Sequence, residues 1–167
     1  QETRARAPLV RLSLFRVRNY VASMGCSFFI NLTMFGLLIL IPMIFQEVLR
    51  YSTSRTGLLL LVFSGVMALT APLGGSLSDR LGRRLIPLVG ASLLIIGSAA
   101  FLAINAASGL TFVLLCLLTS GAGYGLIFPV LQTIAIESSP LETSAVAIGV
   151  YLMVRYIGAA VGTSLAG

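Results

Sequence analysis

The residue that makes the largest chemical demand on this sequence is Arg155, set in the apolar run YLMVRYIGAAVG from Tyr151 to Gly162. A guanidinium at the centre of a membrane-spanning helix costs about 2.5–3.5 kcal/mol or more unless something answers it. On a helix, Tyr151, Gly158 and Gly162 share its face. Counting about 1.5 Å per residue from Ser144 puts Arg155 roughly 15 Å deep, near the midplane of a bilayer. The acids are Glu2, Glu47, Asp79, Glu137 and Glu142, in the leader or at the edges of apolar runs, and none falls at that depth. The counter-charge is therefore expected from outside this chain, as an acid or as carbonyls and water.

A second group with chemical content is GGSLSDRLGRRLIPL, residues 74–88. It reads as a tight cytoplasmic turn between antiparallel helices. Gly75 is expected to let a neighbouring backbone approach, and Gly82 to take the positive φ the turn requires. Asp79 can accept charge-assisted bonds from a helix N-terminus or an arginine. Arg80, Arg83 and Arg84 can pair with Asp79, cap helix C-termini or bind lipid phosphate. A basic loop that only fixes topology would account for three arginines, but not for the ordered Gly–Asp–Gly spacing among them.

Other chemistry is excluded by what the chain lacks. It has no His and no Lys, and its eleven basic residues are all Arg. A Ser-His-Asp triad, His-based metal sites and the lysine of a phosphate-binding loop are thereby ruled out. No catalytic pair falls on facing positions, so an enzyme is not expected, nor a cofactor, a metal or a nucleic-acid partner. Cys26 and Cys116 lie inside apolar runs without ligand-like neighbours and read as buried, inert thiols.

These groups must be positioned by membrane-spanning helices. Hydrophobic residues make up 57% of the chain, charged residues 10%, too few for a water-soluble surface. Mean hydropathy is +1.03. Five apolar stretches, at about 20–46, 56–75, 86–104, 111–135 and 144–167, each hold roughly the 20 residues that cross a hydrocarbon core. A basic leader, residues 1–19, precedes them; the apolar run behind it is too long for a signal peptide. Pro42 is expected to kink the first span. Ser and Thr of YSTSRTG cap the second span, and Ser139, Pro140 and Glu142 form a capping box before the fifth. The fold class is thus all-α and integral to the membrane, one polytopic unit with short connections.

Arginine placement orients it. Arg4, Arg6, Arg11, Arg16, Arg18, Arg80, Arg83 and Arg84 lie on one side and only Arg50 and Arg55 on the other. The positive-inside rule then puts the N-terminus in the cytoplasm and, after five crossings, the C-terminus outside. A chain ending on GTSLAG there reads as a fragment.

The spacing of Gly75, Leu77, Asp79, Arg80, Gly82, Arg83 and Arg84 resembles the major facilitator superfamily signature G-x-L-x-D-R-x-G-R-R. In that superfamily the loop joins the second and third helices of a six-helix repeat, as here. PLVRLSLFRVRNY, IPMIFQEVLRYSTSRTGLLLL, GAGYGLIFPVLQTIAIESSP and GVYLMVRYIGAAVGTSLAG extend the likeness across the chain. They are similar to the C-terminal repeat of the fourteen-span drug:proton antiporters of the EmrB/QacA type. The fourth span has no arginine and the fifth no Gly-Pro signature, both usual in the N-terminal repeat. The resemblance implies five helices of a six-helix repeat, with the sixth and the N-terminal half missing. It implies a proton-driven exporter of bulky, often cationic, amphipathic compounds in the inner or plasma membrane. The partners implied are the bilayer, a small-molecule substrate and protons.

On the first span Phe28, Asn31 and Phe35 share a face, and an amide between aromatic rings suits amphipathic ligands. The other reading is that the rings face lipid while Asn31 bonds a neighbouring helix. Gly121 and Gly125 of the fourth span form a small-xxx-small pair best read as packing, with Tyr124 and Gln132 nearby. The family's cavity is lined by the first, second, fourth and fifth helices of each repeat, which implies lining roles for Asn31, Tyr124, Tyr151 and Arg155. No carboxylate here is placed to carry protons across, so that site is expected in the missing half. This chain would supply a cavity wall and, in Gly75–Arg84, an ionic latch. A carrier of metabolites or siderophores, and a channel or non-transporting scaffold, remain as other readings.

Overall fold

The computed structural model describes residues 17–138 and 144–167, with the side chain of Ser144 excepted. Helix α1 spans Arg18–Met43 and passes into a π-helical turn, Ile44–Val48. Helix α2 spans Thr53–Leu81, α3 Leu85–Phe101, α4 Leu110–Glu137 and α5 Ser144–Ala166. Among the described residues there is no strand. Four of the helices are long and apolar enough to cross a membrane, and α3 is a shorter apolar helix of 17 residues. Such an architecture follows from the solvent. Lipid offers no partner to a bare N–H or C=O, so each crossing must satisfy its backbone internally.

Proline and capping residues set the local detail. Pro42 brings no N–H to the ladder, and the helix widens into the π-turn just after it. Ser52 caps α2 by accepting the Arg55 backbone N–H at 3.4 Å. Between α3 and α4 the Asn105 side-chain oxygen accepts from the Ala107 N–H at 3.0 Å and closes a turn. Residues 1–16 and the Ser139–Pro140–Glu142 capping box lie outside the described residues.

Helix α4 is the hub. Half of its most apolar window is buried, against 17–28% in the other long helices. It packs against α2, α3 and α1, while α1 packs lengthwise on α5. Hydrophobicity gives little drive between helices in lipid, so close backbone approach must supply the contact. Gly121 and Gly125 meet Phe63 and Met67 of α2, and Gly123 meets Gly90 and Leu94 of α3. On α5, Gly158 and Gly162 lie against the backbone of Phe28 and Leu32. Near the first turns of both helices the Tyr20 hydroxyl donates to the Ala147 carbonyl at 2.7 Å.

Two expectations change here. The approaching backbone meets Gly74, whose neighbour is Leu126, and Gly75 faces open space. Only Cys116 is buried; Cys26 is exposed on α1.

Candidate functional site

Asn31 is 1% exposed and stands where α1, α4 and α5 converge. Its Nδ2 donates to the Ser27 carbonyl at 2.8 Å, one turn back on α1. That bond fixes the amide: with the ends exchanged, Oδ1 would face a carbonyl. So oriented, Asn31 turns Oδ1 away from its own helix. There it accepts the Tyr124 hydroxyl at 3.1 Å and Arg155 Nε at 3.3 Å. Both lone pairs of one buried carbonyl oxygen are used.

The guanidinium has a second support. Its carbon sits 4.4 Å from the Phe128 ring centre, and Phe128 stacks on Tyr124 with centres 5.8 Å apart and planes at 11°. A partly buried cation over a ring gains about 0.5–2 kcal/mol, which offsets part of the cost of placing the arginine in the bilayer. The Tyr124 hydroxyl also lies beside the guanidinium. Tyr151, one turn earlier on α5, is 1% exposed and packs with Tyr20, Met24, Ala135 and Ala147.

The answer to Arg155 thus begins within the chain, contrary to the expectation of an outside partner. Asn31, a neutral acceptor 124 residues away, and an aromatic face provide it. No carboxylate takes part: the acids among the described residues are Glu47, Asp79 and Glu137, at the helix ends. The expected pairing of Asn31 with Phe28 and Phe35 does not form the cluster. Both rings are half-buried, Phe28 turns edge-on to Phe29, and the aromatic partner is Phe128. Phe128 was overlooked, although its place one turn after Tyr124 in GYGLIF was the available signal.

The basic segment is built differently from its expected form. Helix α2 runs on to Leu81, so Asp79 and Arg80 belong to its last turn and the connection shrinks to Gly82–Arg84. Gly82 takes φ 97°, a left-handed value open to a residue without Cβ. Arg83 forms a bidentate pair with Glu137 at the end of α4, one arm at 2.7 Å and Nη1 on Oε2 as the other. Among the described residues no ion pair joins Asp79 to Arg80, Arg83 or Arg84. Asp79 is exposed beside a cleft of about 90 Å³ lined by Gly75, Ser78, Arg83, Val130 and Thr133. Arg84 opens on a groove of about 680 Å³ between the start of α1, the start of α3 and the end of α4.

Fold and site together define a multi-pass α-helical membrane protein with a buried polar junction and a charged turn between α2 and α3. The family model of the Major Facilitator Superfamily matches residues 1–163, and the chain belongs to that superfamily. Multidrug resistance protein Stp of Mycobacterium tuberculosis (strain ATCC 25618 / H37Rv) is 31% identical over 166 residues, 99% of this chain and 31% of its own. Quinolone resistance protein NorB of Staphylococcus aureus (strain N315) is 29% identical over 169 residues, 99% of this chain and 36% of its own. The chain spans about a third of the length of these curated relatives.

Proposed function

We propose that this chain is part of a proton-coupled antiporter that exports drugs and other amphipathic compounds by alternating access. The observation that carries the reading is that relatives named for multidrug and quinolone resistance align with 99% of the chain. The structure supports it with a polar junction at mid-membrane depth built from three helices.

In this reading Arg155, with Phe28 and Phe35 at the edges, lines one wall of the substrate path, and the buried Asn31, Tyr124 and Tyr151 support it from behind. The proton-carrying carboxylate belongs to the rest of the transporter. Two repeats rocking about a midplane site would give alternating access, with the N-terminus of this chain in the cytoplasm of an inner- or plasma-membrane protein. The segment of Gly75, Asp79, Arg80, Gly82, Arg83 and Arg84 acts as a latch. In the state described here Arg83 is held by Glu137, and Asp79 is exposed to meet a partner across the cytoplasmic cleft.

The test is full-length transporter in proteoliposomes, with ethidium efflux followed under an imposed pH gradient. Efflux that rises with the gradient and moves protons in return is expected; efflux indifferent to the gradient overturns proton coupling. In the same assay Asp79→Asn should slow turnover while leaving ethidium affinity unchanged. Wild-type turnover at equal expression removes the latch role.

A further inference from the structure

Arg155 is the one charged side chain among the described residues at mid-membrane depth. Its surroundings position it without neutralising it. Asn31 Oδ1 takes Nε, and its other lone pair is already committed to Tyr124. The Tyr124 hydroxyl, the second oxygen nearby, spends its proton on Asn31 and is equally neutral. Two neutral oxygens can take two of the five guanidinium N–H groups, and neither carries charge. Nε is the arm that Asn31 pins, and the Nη end of the fork has no charged partner among the described residues. That end suits the two parallel bonds of a carboxylate. The neighbouring stack of Phe128 and Tyr124 is a flat apolar surface of the kind an aromatic ring system packs against. Arg155 and Phe128 are each only half-buried.

We propose that Arg155, oriented by Asn31 and backed by Phe128, is a carboxylate-recognition subsite, and that the cargo includes amphipathic aromatic carboxylates bound by their anionic end. The proposal rests on the export reading above and names a substrate class for it. The same fork could be filled by a carboxylate of the transporter itself, and the experiment separates the two sources.

Full-length transporter in lipid nanodiscs is titrated calorimetrically with 1-naphthaleneacetate, its neutral isostere 1-naphthaleneacetamide and a naphthylmethyl trimethylammonium salt. Empty nanodiscs serve as blanks. Wild type is expected to bind the acetate about tenfold or more tightly than the amide, the range of a charge-assisted bidentate contact. Arg155→Gln should remove that preference and leave amide affinity within about twofold. If wild type shows no preference, the fork is occupied by the transporter's own carboxylate and the proposal falls. Equal losses for all three probes assign Arg155 to packing and overturn it as well. Should Arg155→Gln fail to fold, Arg155→Lys decides. It keeps the charge without the planar fork, so acetate binding should weaken severalfold with the amide unchanged, and unchanged acetate binding refutes the subsite. Anion preference without gradient-driven ethidium efflux would leave the subsite standing and remove the antiport reading. Ammonium binding and efflux without anion preference would do the reverse.

Discussion

Two arginines in this chain are held in opposite ways. Arg83 lies in the turn between α2 and α3, about half exposed, and is paired with a full carboxylate, Glu137. Arg155 lies midway along α5, partly buried, and is held by an amide oxygen and a ring. In water the strong-looking partner is worth little: exposed pairs contribute about 0–1 kcal/mol because solvent competes for both ions. In a low-dielectric junction the weak-looking partners matter more, since nothing replaces them once they are lost. The Arg83–Glu137 contact is therefore cheap to break and make, as a moving latch requires. The Arg155 junction is costly to dismantle and suits a fixed element whose charge stays available to a ligand.

The sharpest way to break this comparison is to remove the amide. Asn31→Leu leaves the Tyr124 hydroxyl and Arg155 Nε without their shared acceptor. An orphaned buried group costs about 1–3 kcal/mol, more when it is charged. A clear fall in the melting temperature of the full-length protein is expected, with loss of efflux. Asn31→Asp still accepts both bonds but sets an oxygen against the Ser27 carbonyl, so it should melt below wild type, and its carboxylate would occupy the guanidinium and abolish the acetate preference. If Asn31→Leu melts like wild type, the junction is not the stiff element.

Tyr124→Phe sharpens the same point by removing one donor while keeping the ring stacked on Phe128. The expected loss is about 1 kcal/mol, and Arg155 keeps its Asn31 bond. A loss as large as that of Asn31→Leu would mean that Tyr124, not Asn31, orients the guanidinium. At the other pole, Glu137→Gln should change stability by less than about 1 kcal/mol and yet alter efflux rate, with the wild-type rate depending on ionic strength. A large drop in melting temperature would make that pair structural and end the contrast.

The parts of this molecule that could be read from sequence are those fixed by short-range rules. The all-helical, membrane-integral class followed from hydropathy, the Gly82 conformation from its place among charged residues, and the roles of Gly121 and Gly125 from their spacing. Helix α2 outran its expected end because Asp79 and Arg80 tolerate a helix and Gly82 is what stops it. The partner of Arg155 was not legible. Asn31 comes to it only through the packing of α1 on α5, and an amide is not the partner that charge counting searches for. Gly74 and Gly75 show the same limit. They are identical neighbours in sequence, and only the direction of the α4 backbone separates their roles.

That pair supplies the smallest and most discriminating test. A Cβ on Gly74 would run into the Leu126 backbone of α4, so Gly74→Ala should cost the about 1–3 kcal/mol typical of overpacking. A Cβ on Gly75 meets nothing within 4 Å, and alanine favours a helix by about 1 kcal/mol over glycine at most. Gly75→Ala should therefore leave the melting temperature where it is or raise it slightly. Its effect on transport carries the information. Gly75 borders the cleft beside Asp79, where the latch reading places an approaching segment of the other half. The expected outcome is slower ethidium efflux at unchanged stability, because the methyl group intrudes on a contact made only in the other state. If efflux and stability both stay at wild-type values, nothing approaches Gly75 during the cycle. The latch would then reduce to the exposed charges of Asp79 and the arginines.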